Sequence, residues 1–215
     1  MTNDPYSYPQ TGVLINKLNI KSQKDLQLAE SEYSANRLYQ LRTAPIKGNF
    51  DLEHLKKIHK YIFQDIYKWA GEIRTVNIEK QDKFAASEQI ESYANYIFKQ
   101  LNKEGNLKGL QQDKFCNRAA HYMGEINAIH PFREGNGRTQ REFIRELAAN
   151  AGYELDFRHV TSEEMKEASI HSFREDPSKL EEILQRSITP LHDHQSEESY
   201  LKQTDPIHNE SYGMD

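Results

Sequence analysis

His130-Pro131-Phe132-Arg133-Glu134-Gly135-Asn136-Gly137-Arg138-Thr139-Gln140-Arg141 is the one segment of this 215-residue chain in which neighbouring groups make chemical sense together. Pro131 disfavours helical backbone at His130, so a helix arriving from upstream must end there. Gly135 and Gly137 permit backbone angles closed to other residues, and consecutive N–H groups can then turn inward as an anion-binding concavity. A helix beginning around Gly137 adds its own unpaired N–H groups and positive dipole end. Arg138 and Arg141 lie on the first turn of that helix and can neutralise neighbouring phosphates from one side. Glu134 supplies the hard oxygen taken by a magnesium ion that bridges phosphates. His130, with an ordinary pKa near ~6.5, can accept a proton from an incoming hydroxyl at neutral pH. Taken singly, each residue has a plain structural reading as a turn or a solvated face.

Outward from this loop the chain reads as helices. Upstream, a helix from about Asp113 carries Phe115, Ala119, Tyr122, Met123 and Ile126 inward and delivers His130 at its end. Downstream, the helix from Gly137 runs through Phe143, Ile144 and Leu147 to Gly152, a C-terminal stop. Thr161 with Glu164 caps one later helix; Asp176-Pro177 opens another, with Leu180, Ile183, Leu184 and Ile188 inward. Earlier in the chain, Ser87 starts a helix with Ile90, Tyr93, Ile97 and Leu101 on one side. Asp51 caps a further one with Leu52, Leu55, Ile58, Ile62 and Phe63 at buried-stripe spacing. The first helix runs from Ser22 to about Leu41, with Leu26, Ala29, Tyr33 and Leu41 on one face.

Between Trp69-Ala70-Gly71 and Ser87 the alternation of Arg74, Val76, Ile78 and Lys80 with Ile73, Thr75, Asn77 and Glu79 predicts a strand. It turns around Gln81-Asp82 and returns through Phe84 as a small hairpin. The expected organisation is an extended arm over 1–21, a catalytic domain over 22–190, and a polar tail or truncated linker over 191–215.

A net charge of −5 excludes a domain held to nucleic acid mainly by phosphate neutralisation, and no apolar run approaches the length that spans a bilayer. The lone Cys116 cannot form an internal disulfide and reads as a half-buried structural thiol.

The pattern His130-Pro-Phe-x-Glu134-Gly-Asn-Gly-Arg138-x-x-Arg141 has the form of the Fic motif, and the likeness runs from Asp4-Pro5-Tyr6 through Trp69-Ala70-Gly71 to Leu184. The chain resembles the Fic family, and within it the toxins of bacterial toxin–antitoxin modules. The resemblance implies an all-α Fic core with one β-hairpin flap. There ATP binds with Mg²⁺, and AMP passes to a Ser, Thr or Tyr hydroxyl of a target protein with release of pyrophosphate. It implies that His130 deprotonates that hydroxyl, that Glu134 holds the metal, and that Asn136 with the N–H groups of Gly135 and Gly137 holds the α- and β-phosphates. Arg138 and Arg141 then grip the terminal phosphates, and Phe132 points into the core. The flap, Arg74 to Ala86, aligns the target backbone by strand-like pairing. Lys80 and Phe84 are its candidates for nucleotide contact, against the plain readings of a solvated lysine and a core phenylalanine.

Many Fic proteins carry an inhibitory helix of the form Ser/Thr-x-x-x-Glu-Gly/Asn whose glutamate pairs with the second arginine. This chain has no such hexapeptide, since Ser87 to Glu91 is followed by Ser92. A separate small antitoxin whose glutamate contacts Arg141 is therefore expected. Targets among type II topoisomerase subunits, a bacterial cytoplasmic location, and no nucleic-acid or membrane partner complete the expectation. Gly137 favours AMP transfer, because kinase-like relatives carry lysine there. The readings left open are a Fic-type phosphotransferase or other nucleotidyl transfer, a catalytically silent protein-binding module, and a metal-dependent hydrolase on His121, Glu125 and His130.

Overall fold

Asp51 accepts a hydrogen bond from the His54 N–H at 2.8 Å and so caps the helix that follows, α2 (Leu52–Phe63). Its apolar stripe of Leu52, Leu55, Ile58, Ile62 and Phe63 is no more than 6% exposed at any position, as the spacing predicts. The computed structural model describes residues 4–78, 84–174 and 176–191. Around α2 stand α1 (Gln23–Thr43), α3 (Ile90–Lys103) and α5 (Asn136–Ala151). At the centre runs α4 (Gln112–Ile129), which packs on α3, α5, α6 (Ser162–Phe173) and α7 (Ser178–Ser187). The α4 side chains of Phe115, Ala119, Tyr122, Met123 and Ile126 all bury. So, completely, does Cys116, whose thiol is pushed up to about 11, by burial first.

Three expectations are corrected by the packing. In α1 the buried face is Leu26, Glu30, Ser34 and Leu41, and Tyr33 is 40% exposed, because the inner side of this helix meets the polar groups of Tyr67 and Arg138. In α3, Tyr93 lies at the rim, where its hydroxyl donates to Glu125. Residue Ile188 belongs to a strand: β1 (Tyr153–Leu155) and β2 (Ile188–Pro190) pair antiparallel, Leu155 opposite Ile188.

The fold class holds, mainly helical with one small antiparallel sheet, but the sheet joins the exits of α5 and α7 and is not the flap. The described flanks of the flap, 74–78 and 84–86, form no strand. The Arg74 side chain takes up the carbonyls a ladder would use, donating to Val76 O at 2.7 Å and Ala85 O at 2.5 Å. The turn at Gln81-Asp82, with Lys80, lies outside the described residues, as do residues 192–215 of the polar tail. Residues 4–21 lie across the end of α2, with Val13 and Asn16 buried and the Lys17 N–H donating to Ile66 O at 2.8 Å. Among the described residues no helix is long and apolar enough to cross a membrane.

Candidate active site

His130 caps the C-terminus of α4 in the left-handed conformation, φ 46° and ψ 61°. A non-glycine residue adopts that region only when its surroundings over-determine it, and here they do. The His130 N–H donates to Ile126 O at 3.1 Å, its carbonyl accepts from Arg74 Nε at 2.8 Å, and Pro131 bars the helical alternative. The imidazole stacks on Phe84, ring centroids 3.8 Å apart and planes 16° from parallel. Backbone and ring together fix where the base candidate points.

Phe132 is buried, as expected, and stacks on His59 at 3.8 Å. Asn136 closes the loop on itself: its Oδ1 accepts from the Phe132 N–H at 2.9 Å and its Nδ2 donates to Phe132 O at 2.7 Å. Its side chain thereby shapes the loop. Of the two loop glycines only Gly135 has a positive φ, 83°, and a Cβ there would lie 2.3 Å from the Phe63 ring. Gly137 is helical. A Cβ on it would stand 3.3 Å from Arg141 Nη1, so its bareness keeps space rather than a special backbone angle. Helix α5 begins without a side-chain cap, with its first-turn N–H groups available to an anion.

The charged groups divide into two sets. Arg138 leans over the Phe63 ring at 4.6 Å and turns toward α1, donating to Ser34 Oγ at 3.0 Å and Glu30 Oε2 at 3.3 Å, with Glu134 Oε1 at 3.6 Å. Arg141, in contrast, forms no ion pair among the described residues, and burial, followed by the charge of Arg138, holds its guanidinium below the usual value. Glu134 is half-exposed, its Oε1 accepting from the Gly135 N–H at 2.9 Å.

Two residues unmarked by sequence reasoning hold this loop. His59, fully buried, accepts from the Gly71 N–H on Nδ1 at 2.8 Å; its proton therefore sits on Nε2, which donates to Glu134 O at 3.0 Å. Burial drives its pKa down to about 3, so it stays neutral. Arg74, 1% exposed, donates to the carbonyls of His130, Val76 and Ala85 and thus ties both flap flanks to the end of α4. For His59 the available signal was its place on the buried stripe of α2, between Ile58 and Ile62; Arg74 carried none that set it apart from its polar neighbours.

A cavity of about 810 Å³ opens against the loop, lined by His130, Gly137, Arg141, Phe84 and Asn127 and, on the far wall, by α6 with Lys166 and Ser169. The structure thus brings His130, Gly137, Arg141 and Phe84 together. Gly135 and Asn136 stand behind them, and Arg138 and Glu134 to the side. The α6 wall went unread because nothing in its sequence marks it beyond its capping box. His121 and Glu125 line a separate cavity, and among the described residues no three His, Cys, Asp or Glu converge, which leaves the metal-hydrolase reading without a ligand shell.

A sequence profile of the Fic/DOC family matches residues 49–148. Protein adenylyltransferase VbhT of Bartonella schoenbuchensis is 49% identical over 189 residues, 87% of this chain and 40% of VbhT, so the chain spans less than half of that relative. The probable protein adenylyltransferase Fic of Escherichia coli is 37% identical over 187 residues, covering 86% of this chain and 92% of that protein. The crystal structure of BepC, a VirB-translocated effector of Bartonella tribocorum with bound AMPPNP, superposes with a TM-score of 0.83 at 28% identity, over 86% of this chain and 97% of that one.

Proposed function

This chain belongs to the Fic/DOC family, and from that membership we propose that it is a protein adenylyltransferase, moving AMP from ATP to a hydroxyl of another protein. The observation that carries the reading is the meeting of His130, Gly137 and Arg141 on one cavity, beside a helix that starts without a cap. A triphosphate suits that place. The open N–H groups of the first turn of α5 donate to phosphate oxygens, and Arg141, without a carboxylate partner among the described residues, neutralises further ones. Arg138, tied to Glu30 and Ser34, fixes the helix start and adds positive field. The base and sugar take the cavity between Phe84 and α6.

His130 takes the proton of the target hydroxyl as its oxygen bonds to the α-phosphorus. The bond from that phosphorus to the bridging oxygen breaks, and pyrophosphate leaves. Glu134 fits a magnesium ion, since one exposed carboxylate at the phosphate end of the site is what this metal takes when phosphates and water complete its shell. When bound, the ion would supply neutralisation of phosphate oxygens. The flanks of 74–86 place the target backbone, with Phe84 on the nucleotide cavity and Lys80 a further candidate for nucleotide contact.

Arg141 is also the natural seat of control, because a glutamate from a small antitoxin would pair with it and displace the terminal phosphate. In this reading the chain alone is active and toxic, works in a bacterial cytoplasm, and takes type II topoisomerase subunits among its targets.

The test is incubation of the chain with Mg²⁺ in bacterial lysate, with α-³²P-ATP in one tube and γ-³²P-ATP in another, beside His130→Ala. Label from the α position alone is expected, with the rate falling about 10²–10⁴-fold in H130A. Label from the γ position alone would make the protein a phosphotransferase. No label from either would leave a silent module.

A further inference from the structure

Along α4, His121, Gly124, Glu125 and Ala128 recur at the spacing of one helix face, on the path that ends at His130. A second cavity, about 460 Å³, sits on this stripe, closed on one side by Tyr93 of α3 and on the other by Phe173, which also lines the nucleotide cavity. The chemistry inside it is lopsided. Glu125 accepts a hydrogen bond from the Tyr93 hydroxyl at 2.5 Å through Oε2, and among the described residues it forms no ion pair and Oε1 has no hydrogen-bond partner. Among the described residues no lysine or arginine lines the cavity. Tyr93, pushed up to about 12 by burial first and then by its bond to Glu125, stays a neutral donor and cannot cancel the charge. A carboxylate in such a recess gains from a cation delivered by a partner, since attraction strengthens as water is excluded.

The position says which partner. The Ala85 N–H donates to Ala128 O at 3.0 Å, so the flap flank that would guide a target segment runs beside this cavity. Glu125 precedes His130 by five residues, about 7.5 Å of rise along the helix. An extended segment advances about 3.3 Å per residue, so a side chain about two positions from a hydroxyl held at His130 comes level with Glu125. We propose that this cavity is a specificity pocket that takes a lysine or arginine of the target protein, about two residues from the modified hydroxyl, on the carboxylate of Glu125. The inference rests on the adenylyl-transfer reading and names a substrate class for it. A bound metal ion is the weaker occupant, with no three ligating side chains gathered among the described residues.

The experiment is α-³²P-ATP labelling of bacterial lysate by the wild-type chain, Glu125→Gln and Glu125→Lys, with mass spectrometry of the labelled peptides. Melting temperatures show that both variants fold. The expected result is a lysine or arginine about two residues from the modified side chain, and a labelling rate lowered about tenfold or more in E125Q and further in E125K. A synthetic target peptide in which that basic residue is replaced by glutamate should be modified better by E125K than by wild type. Equal labelling by all three proteins, or a modified site without a basic neighbour, overturns the pocket while leaving AMP transfer standing. Absence of label with wild type overturns the transfer reading, and the pocket falls with it.

Discussion

Gly135 and Gly137 stand two positions apart in one loop and answer to different constraints. Gly135 is left-handed and pressed against Phe63, so Gly135→Ala adds a strained backbone and an overpacked contact. Chemical denaturation should show a loss of about 2–4 kcal/mol. Gly137 is helical, and Gly137→Ala should gain about 0.5–1 kcal/mol. Its Cβ crowds Arg141 Nη1 at the cavity wall, so calorimetry should find ATP binding weakened in a protein that melts no earlier. The sequence marked both glycines as necessary, because Gly-x-Gly before a basic helix start has a known chemical meaning. It could not say which one needed its backbone angle and which its empty space. Asn136 has a part that only the folded loop shows: its amide is hydrogen-bonded at both ends to the Phe132 backbone, with a second N–H left over for the phosphate role that the family resemblance implies.

At the scale of elements, the helices were legible wherever an apolar stripe faced an apolar core, as in α2 and α4. Legibility failed where a helix buried polar groups. The inner face of α1 carries Glu30 and Ser34 because Arg138 and Tyr67 meet it, and no local pattern announces a partner more than a hundred residues away. The flap failed differently, since its alternation is real but the Arg74 guanidinium replaces the ladder. Arg74 acts through His130 as a positioning residue. Arg74→Met should leave its carbonyl partners buried and unsatisfied, at about 1–3 kcal/mol each. The transfer rate should drop well over tenfold while the KM for ATP changes little, with partial recovery in Arg74→Lys, which keeps the charge and a single donor nitrogen. A loss in KM alone would place Arg74 in nucleotide binding instead.

For the molecule as a whole, stability should depend on pH through His59. Its pKa falls from about 6.5 in the unfolded chain to about 3 in the fold, so the native state favours the neutral ring. That contribution is fully present above pH 6.5 and is lost as pH drops toward 3, with a slope approaching about 1.4 kcal/mol per pH unit. Denaturation curves at pH 7, 6, 5 and 4 should show a flatter decline in His59→Gln than in wild type, from a lower starting stability. The loop that His59 steadies is held from several distant stretches: Arg133 by Asp4 at 2.7 Å, His130 by Arg74, Glu134 by His59, and Arg138 by Glu30. Asp4 and Arg133 are 129 residues apart in sequence. Contacts of such long range pay their loop-closure entropy late, so the reaction centre is among the last parts of the chain to take shape. Competence then arrives only at the close of folding: a half-made chain carries the whole motif and none of the aim.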